Sequence, residues 1–446
     1  MLRHQCTDEG PMVASRRQFL CGGAALSTLF VADTAIAKPV THNKWAAIRS
    51  RFSFLPGLTY LNSGSEGSLP TAMRARLSHL VAEWSASPSW ACFSSPDLEQ
   101  SQTRNRRRLA EFVSAQPADI VITDNTTMGL GMVVLGLPFT AGDEIIITDQ
   151  EHYALTSPLK VASLRSGIVV KQVAIPSPAT SVAQIVDGFK AALTPRTRAI
   201  CFSHVNWTTG LRMPVEEICA LARQQGIPTL VDGAHGLGMI DLDLPALGCD
   251  FYACAGHKWL NGPPATGLLY IRDAVTNPWK LVPILSEVAE YLGPKFSIAD
   301  ALQMRGSPNG PGFAVLAAMC DFYDEIGKSA VESRILSLAA TVKTRAAASW
   351  GEGCVYSPPP AMTALSSGLS TFVPSRDPAA PYDPDFVPKL ADTLIQKHKI
   401  WVRSTSFPSP PGAPAPRINT LRVSTNIFND VGDIDRLFAA ITREVG

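Results

Sequence analysis

TLVDGAHGLGMIDLDLPALGCDFYACAGHKWLNGPPATGLLYIR, Thr229 to Arg272, holds two apolar runs, each followed by a charged residue. Asp232 follows the first run and Lys258 the second, 26 residues later. That separation accommodates strand, connection and strand, so both side chains can emerge at the same end of a sheet. A lysine after an apolar strand, inside GHKW and followed by NGPP, is badly placed for a solvated surface charge. Buried lysines lose proton affinity and become the nucleophilic amines that Schiff-base chemistry requires. A carboxylate facing a pyridine nitrogen keeps that nitrogen protonated and makes the ring an electron sink. For these two residues alone, an ordinary ion pair between strand ends is the competing reading.

The same rhythm extends outward. Short β-rich runs at Ile120–Thr123, Glu144–Thr148, Gly167–Val173, Thr197–Ser203, Pro228–Val231, Phe251–Ala255 and Gly267–Ile271 are mostly separated by helical patterns. The alternation predicts an α/β fold, a mostly parallel sheet of seven strands with helices on both faces. Ahead of it, Lys38–Phe54, Thr71–Ser85 and Leu98–Val113 read as helices, and Tyr60–Ser65 as a short strand entering a Gly/Ser loop. From Phe313 the pattern changes to long helices, Phe313–Ile326 and Ser329–Ala348. A smaller α+β region follows, broken by proline-rich loops at Ser357–Pro360, Pro374–Pro388 and Phe407–Pro416. Poor in β-branched residues, these loops are expected outside the core.

VDGAHGLG and GHKWLNGPP resemble the two central motifs of class V aminotransferases, a branch of the fold-type I pyridoxal-phosphate enzymes, and the resemblance runs from about Tyr60 to Asn429. It implies a fold-type I architecture with the last strand of the large sheet antiparallel. The expected divisions are a lead-in segment over 38–60, a cofactor-binding large domain over 61–312 and a small C-terminal domain over 313–446. It also implies pyridoxal 5'-phosphate as cofactor, with Lys258 as the Schiff-base lysine and Cα base, and Asp232 on the pyridine nitrogen.

Other residues gain roles from the same resemblance. Asp124–Leu130 follows a strand and opens a helix. Amides and hydroxyls at a helix N-terminus bind phosphate, so Thr126 and Thr127 are the expected phosphate contacts, with simple helix capping as the alternative. His152 matches the histidine that stacks on the pyridine ring, with Tyr153 as alternative. Ser203–Gly210, SHVNWTTG, matches the element whose polar side chain meets the ring hydroxyl, which points to Asn206; cysteine desulfurases commonly place their Asn one position later, where Trp207 stands. His235 falls near the same oxygen and His257 beside the phosphate. Ser307, in Arg305–Asn309, matches a hydroxyl that reaches the phosphate of a neighbouring subunit. This implies a homodimer with shared active sites, although Gly-Ser-Pro-Asn is also plain turn chemistry. Arg422 matches the arginine that clamps the substrate carboxylate, as a bidentate guanidinium suits that planar anion.

The remaining bounds come from composition and the N-terminus. The chain has 446 residues, 46% hydrophobic and 17% charged, with net charge +1. No polyanion-binding face is indicated, so nucleic acid is not an expected partner. Ser15–Leu20, SRRQFL, is a twin-arginine pattern; Phe19–Ala32 is uncharged, and Ala35–Ala37 supplies small residues for cleavage. Residues 1–37 resemble a bacterial Tat signal, which predicts export of the folded protein by the Tat machinery to the periplasm, cleavage near Ala37 and no stable membrane insertion. Of nine cysteines, seven lie beyond residue 37, without a CxxC pair, and neither a metal site nor a disulfide framework is expected.

For the reaction, four outcomes at Cα of an amino acid are open: transamination, epimerisation, β-elimination of sulfur and decarboxylation. Cysteine desulfurases need a mobile nucleophilic cysteine shortly before the carboxylate arginine, and Val355–Gly446 contains no cysteine. SHVNWTTGLR and LRVSTNIFN look closest to the isopenicillin-N-epimerase-like branch. The expectation is amino-group chemistry on a small-molecule or peptide-linked amino acid. An epimerase is the first alternative, a C–S lyase a further one, and a periplasmic amino-acid-binding module the non-enzyme rival.

Overall fold

The computed structural model describes residues 44–88, 96–288 and 297–446. Its strands are β1 (Thr59–Tyr60), β2 (Ile120–Thr123), β3 (Glu144–Thr148), β4 (Val169–Val173), β5 (Thr197–Ser203), β6 (Thr229–Asp232), β7 (Phe251–Ala255), β8 (Gly267–Ile271), β9 (Leu369–Phe372), β10 (Ile400–Trp401), β11 (Arg403–Pro408) and β12 (Arg417–Ser424). Seven of them form one sheet in the order β2-β8-β7-β6-β5-β3-β4. Pairing is parallel from β7 through β6, β5 and β3 to β4, and β8 runs antiparallel to both β7 and β2. This is the expected sheet, with the last strand reversed.

Strands buried on both faces read as continuous apolar runs, and that made these legible. Along β7, Phe251 and Ala253 pack into one core cluster while Tyr252 and Cys254 pack into another on the opposite face. Helices cover both sides. Two strand boundaries differ from expectation. Gly167 is left-handed, with φ 71°, and closes the helix Tyr153–Ser166 instead of opening β4. β6 begins at Thr229 and ends on Asp232 itself.

The C-terminal part carries a second sheet, β11-β12-β9, antiparallel throughout. Its core joins Phe372 and Leu421 to Leu338 of the helix Lys328–Trp350, Leu390 of the helix Phe386–His398 and Leu437 of the helix Val431–Val445. The N-terminal segment is strapped onto this part. β1 pairs in parallel with β10, and Asn62 bridges Ser424. The first helix covers Lys44–Arg49 and stops short of the expected Phe54, while residues 38–43 and the Tat pattern lie outside the described residues.

The proline-rich loops correct an expectation, because parts of them are core. Ser357 is buried; its hydroxyl donates to Thr209 O at 2.6 Å and accepts from Thr371 N at 2.8 Å. Phe407 and Val387 are buried as well. At Ser357 side-chain to backbone hydrogen bonds take the place of a ladder, while Phe407 lies on β11 and Val387 on the helix Phe386–His398. No described helix is long and apolar enough to cross a membrane.

Candidate active site

The parallel strands deliver their carboxyl ends to one edge of the sheet, where ligands bind in folds of this kind. A cavity of about 430 Å³ opens there. Asp232 ends β6 and Lys258 lies three residues beyond β7, so the two arrive on neighbouring strands. The Asp232 carboxylate is buried, accepts from Ala234 N at 2.9 Å, and is pushed up by burial against the pull of that amide and of Lys258. Burial is also the largest influence on Lys258. It lowers the amine from its ordinary 10.5 to about 8, opposed by Asp232 and assisted by Arg422. A lysine so placed has a substantial neutral, nucleophilic fraction near neutral pH.

Three histidines line the same cavity. His152 caps the helix Tyr153–Ser166, its Nδ1 accepting from Ala154 N at 3.1 Å. Burial first, then the charges of Lys258, Arg403 and Arg422, lower it to about 4, so its ring is neutral with the proton on Nε2. The edge-on Trp207 ring lies 5.1 Å from it, centroid to centroid. His235 is deeply buried and held well below its ordinary value, chiefly by burial. Trp259 Nε1, which can only donate, meets His235 Nδ1 at 3.0 Å and leaves Nε2–H as the free donor. His257 is lowered by burial, and its Nδ1 lies 3.4 Å from Thr266 O.

The helix Thr126–Gly136 points its N-terminus at the cavity, capped by Asn125, whose Oδ1 accepts from Met128 N at 2.9 Å. With Asn125 as the cap, Thr126 is left free of that duty. Its hydroxyl is buried without a hydrogen-bond partner. Trp207 Nε1 and Arg422 Nε are orphaned in the same way, and both residues line the cavity. Unpaired buried polar atoms are costly in a folded protein. Three of them around one cavity mark places for ligand acceptors. A phosphate at the helix N-terminus and a pyridine between Asp232 and His152 fit the donors present.

Arg422 reaches in from β12. Its Nη1 donates to Trp207 O at 2.9 Å, and its Nη2 donates to Ser65 Oγ at 3.1 Å and to Asn62 Oδ1 at 3.3 Å. Behind the site, Glu151 is pushed up to about 7 by burial. It accepts from Ser203 Oγ at 2.5 Å and from Thr148 Oγ1 at 2.6 Å, tying the ends of β3 and β5 together.

Eight of the ten expected site residues therefore converge: Thr126, Thr127, His152, Asp232, His235, His257, Lys258 and Arg422. Asn206 does not line the cavity. Its Oδ1 accepts from Thr208 Oγ1 at 2.6 Å and from Thr208 N at 3.0 Å, holding the turn, and Trp207 faces the cavity in its place. Ser307 is exposed and lies outside the cavity lining of its own chain. Ser65 and Glu66 line the cavity without having been assigned a place in it, and Arg403, the next candidate after Arg422 for the carboxylate, lines it too. The SGSEG run at Ser63–Gly67 was the available signal for the first two, because a Gly/Ser loop after a strand allows close backbone approach.

The Aminotransferase class-V family profile matches residues 59–437. The chain belongs to the class V aminotransferase family. It is 31% identical over 410 residues to the isopenicillin N epimerase of Amycolatopsis lactamdurans, covering 89% of this chain and 98% of that protein. It is 28% identical over 415 residues to a probable cysteine desulfurase of Vibrio cholerae, covering 90% and 98%. Among solved structures, a C-DES mutant with glycine covalently linked to its PLP cofactor superposes with a TM-score of 0.72 at 24% identity, covering 88% of this chain and 98% of that one. The apo cysteine desulfurase from Thermococcus onnurineus also gives 0.72, at 21% identity, covering 90% and 97%. The fold is fold-type I.

Proposed function

We propose that the chain is a pyridoxal 5'-phosphate enzyme that performs amino-group chemistry at Cα of an amino acid, free or peptide-linked. The observation carrying this reading is the placement of Asp232 at the end of β6 and Lys258 just beyond the neighbouring parallel strand β7, in one cavity with Arg422 buried in its wall. When bound, pyridoxal phosphate supplies an electron sink for the Cα carbanion. Thr126, Thr127 and His257 would hold its phosphate, Asp232 its ring nitrogen and His235 Nε2–H its ring oxygen, with His152 against the ring face. Arg422 orients the substrate carboxylate. Lys258 Nζ, with its proton affinity reduced by burial, takes the Cα proton and can return it.

Transfer of the amino group is the first reading. Epimerisation is the second, favoured by the 31% identity to an isopenicillin N epimerase. The proposal includes a homodimer, supported by the exposure of Ser307 at a position the resemblance assigns to a partner's phosphate. It also includes Tat export to the periplasm, supported by Arg16, Arg17 and the apolar run after them. Incubating the purified protein with a panel of amino acids and following its absorbance tests the reaction. Accumulation of pyridoxamine phosphate is expected. Appearance of the opposite enantiomer without it moves the assignment to epimerase. A colourless protein that binds amino acids unchanged would overturn the enzymatic reading.

A further inference from the structure

Two guanidinium groups line the cavity, and the proposed function uses one of them. Arg403 on β11 is the direct cross-strand neighbour of Arg422 on β12. Arg403 Nη1 donates to Ser65 Oγ at 3.0 Å, and Arg422 Nη2 donates to the same oxygen at 3.1 Å. The two nitrogens are therefore no farther apart than the sum of those distances. Among the described residues, every hydrogen bond made by either group goes to a neutral oxygen. The carboxylates lining the cavity, Glu66 and Asp232, form no ion pair with either arginine. Buried and half-buried guanidinium groups are ordinarily matched by carboxylates, and two cations this close repel each other. Arg403 is also braced, its guanidinium lying over the Trp207 ring 5.7 Å from the centroid. Arg422 is buried and its Nε has no partner.

One carboxylate is satisfied by one planar fork and neutralises one charge. Two forks without a carboxylate partner among the described residues match two anionic groups on a short frame. We propose that Arg403 is a specificity-determining residue that holds a second anionic group of the substrate, so that the preferred substrate is an amino acid with an acidic side chain. Arg422 takes the α-carboxylate, an assignment that rests on the proposed function, and Arg403 takes the side-chain anion.

Calorimetry on the cofactor-loaded protein tests this without turnover. Succinate and glutarate are compared with butyrate and valerate, which lack the second carboxylate. The dicarboxylates are expected to bind at least about tenfold more tightly. Arg403→Gln should erase that preference with butyrate affinity unchanged, and Arg403→Lys should retain part of it. Arg422→Gln should weaken both classes. The same preference should appear in KM for aspartate and glutamate against 2-aminobutyrate and norvaline. The proposal falls if the wild-type protein shows no preference. It also falls if Arg403→Gln weakens both classes alike, which would mean one shared carboxylate. No effect on either class would leave Arg403 only a brace for Trp207 and would sink it too. Turnover of amino acids without dicarboxylate preference would overturn this inference and leave the function standing. Selective dicarboxylate binding without amino-group chemistry would do the reverse.

Discussion

Lys258 concentrates the chemistry of the molecule in one titration. Its amine sits at about 8 because burial disfavours the ammonium more than Asp232 restores it. A lowered value means that the neutral amine dominates above about 8, so capture of pyridoxal phosphate by cofactor-free protein should speed up as pH rises through that value. Stopped-flow absorbance would show this, and a profile still climbing toward 10.5 would contradict the burial argument. Lys258→Ala should lose covalent attachment of the cofactor, read by mass spectrometry after borohydride reduction, with the circular dichroism spectrum unchanged. Asp232→Asn should keep the attachment and reduce turnover by at least on the order of 100-fold, because the ring nitrogen loses its charged partner; near-normal turnover would remove Asp232 from that role. Both residues were legible because strand, charge and flanking glycines lie within one local stretch. Arg403 as a neighbour of Ser65 was not, since 338 residues separate them in the chain. Asn206 misled because its turn-holding bonds look, in sequence, like any polar residue after a strand.

At the scale of elements, five strands were readable to the residue, Thr197–Ser203 and four runs buried throughout, Ile120–Thr123, Glu144–Thr148, Phe251–Ala255 and Gly267–Ile271. The loop after β1 was readable as a Gly/Ser loop, but what it packs on was not, because its partner is distant in the chain. Gly67 N donates to His257 O at 2.6 Å and Ser68 N donates to Asn261 Oδ1 at 3.0 Å, so the loop is laid directly on the Lys258 segment. A Cβ at position 67 would stand 2.0 Å from Lys258 O, a contact with backbone that no rotamer relieves. Gly67→Ala should therefore cost about 1–3 kcal/mol of stability, seen as a lower Tm, and weaken cofactor retention at the same time. An unchanged Tm would mean the loop is free to lift away from the lysine. The buried Ser357 and Phe407 make a related point: proline content marked both stretches as irregular, but tertiary hydrogen bonds make Ser357 core and Phe407 lies on β11, paired with Ile418.

At the scale of the whole molecule, Asn43–Gly446 is one compact unit, and the buried core of the described residues begins at Ile48. Among the described residues, the cavity draws its lining from Gly64 to Arg422. Folding and cofactor capture should therefore be independent of the N-terminal segment, while targeting should depend on it entirely. The Tat route carries folded proteins, so the proposed export requires the cofactor to be captured before translocation. Replacing Arg16 and Arg17 together with Lys keeps the charge and removes the pattern. The double variant is expected to remain in the cytoplasm, with the same visible absorbance and the same Tm as the unmutated protein. A version starting at Lys38 should match both properties. Fractionation into periplasm and cytoplasm, followed by absorbance of each pool, measures all of this in one experiment. Recovery of the double variant from the periplasm would remove the Tat assignment, and loss of absorbance in the shortened chain would show that the segment contributes to the fold.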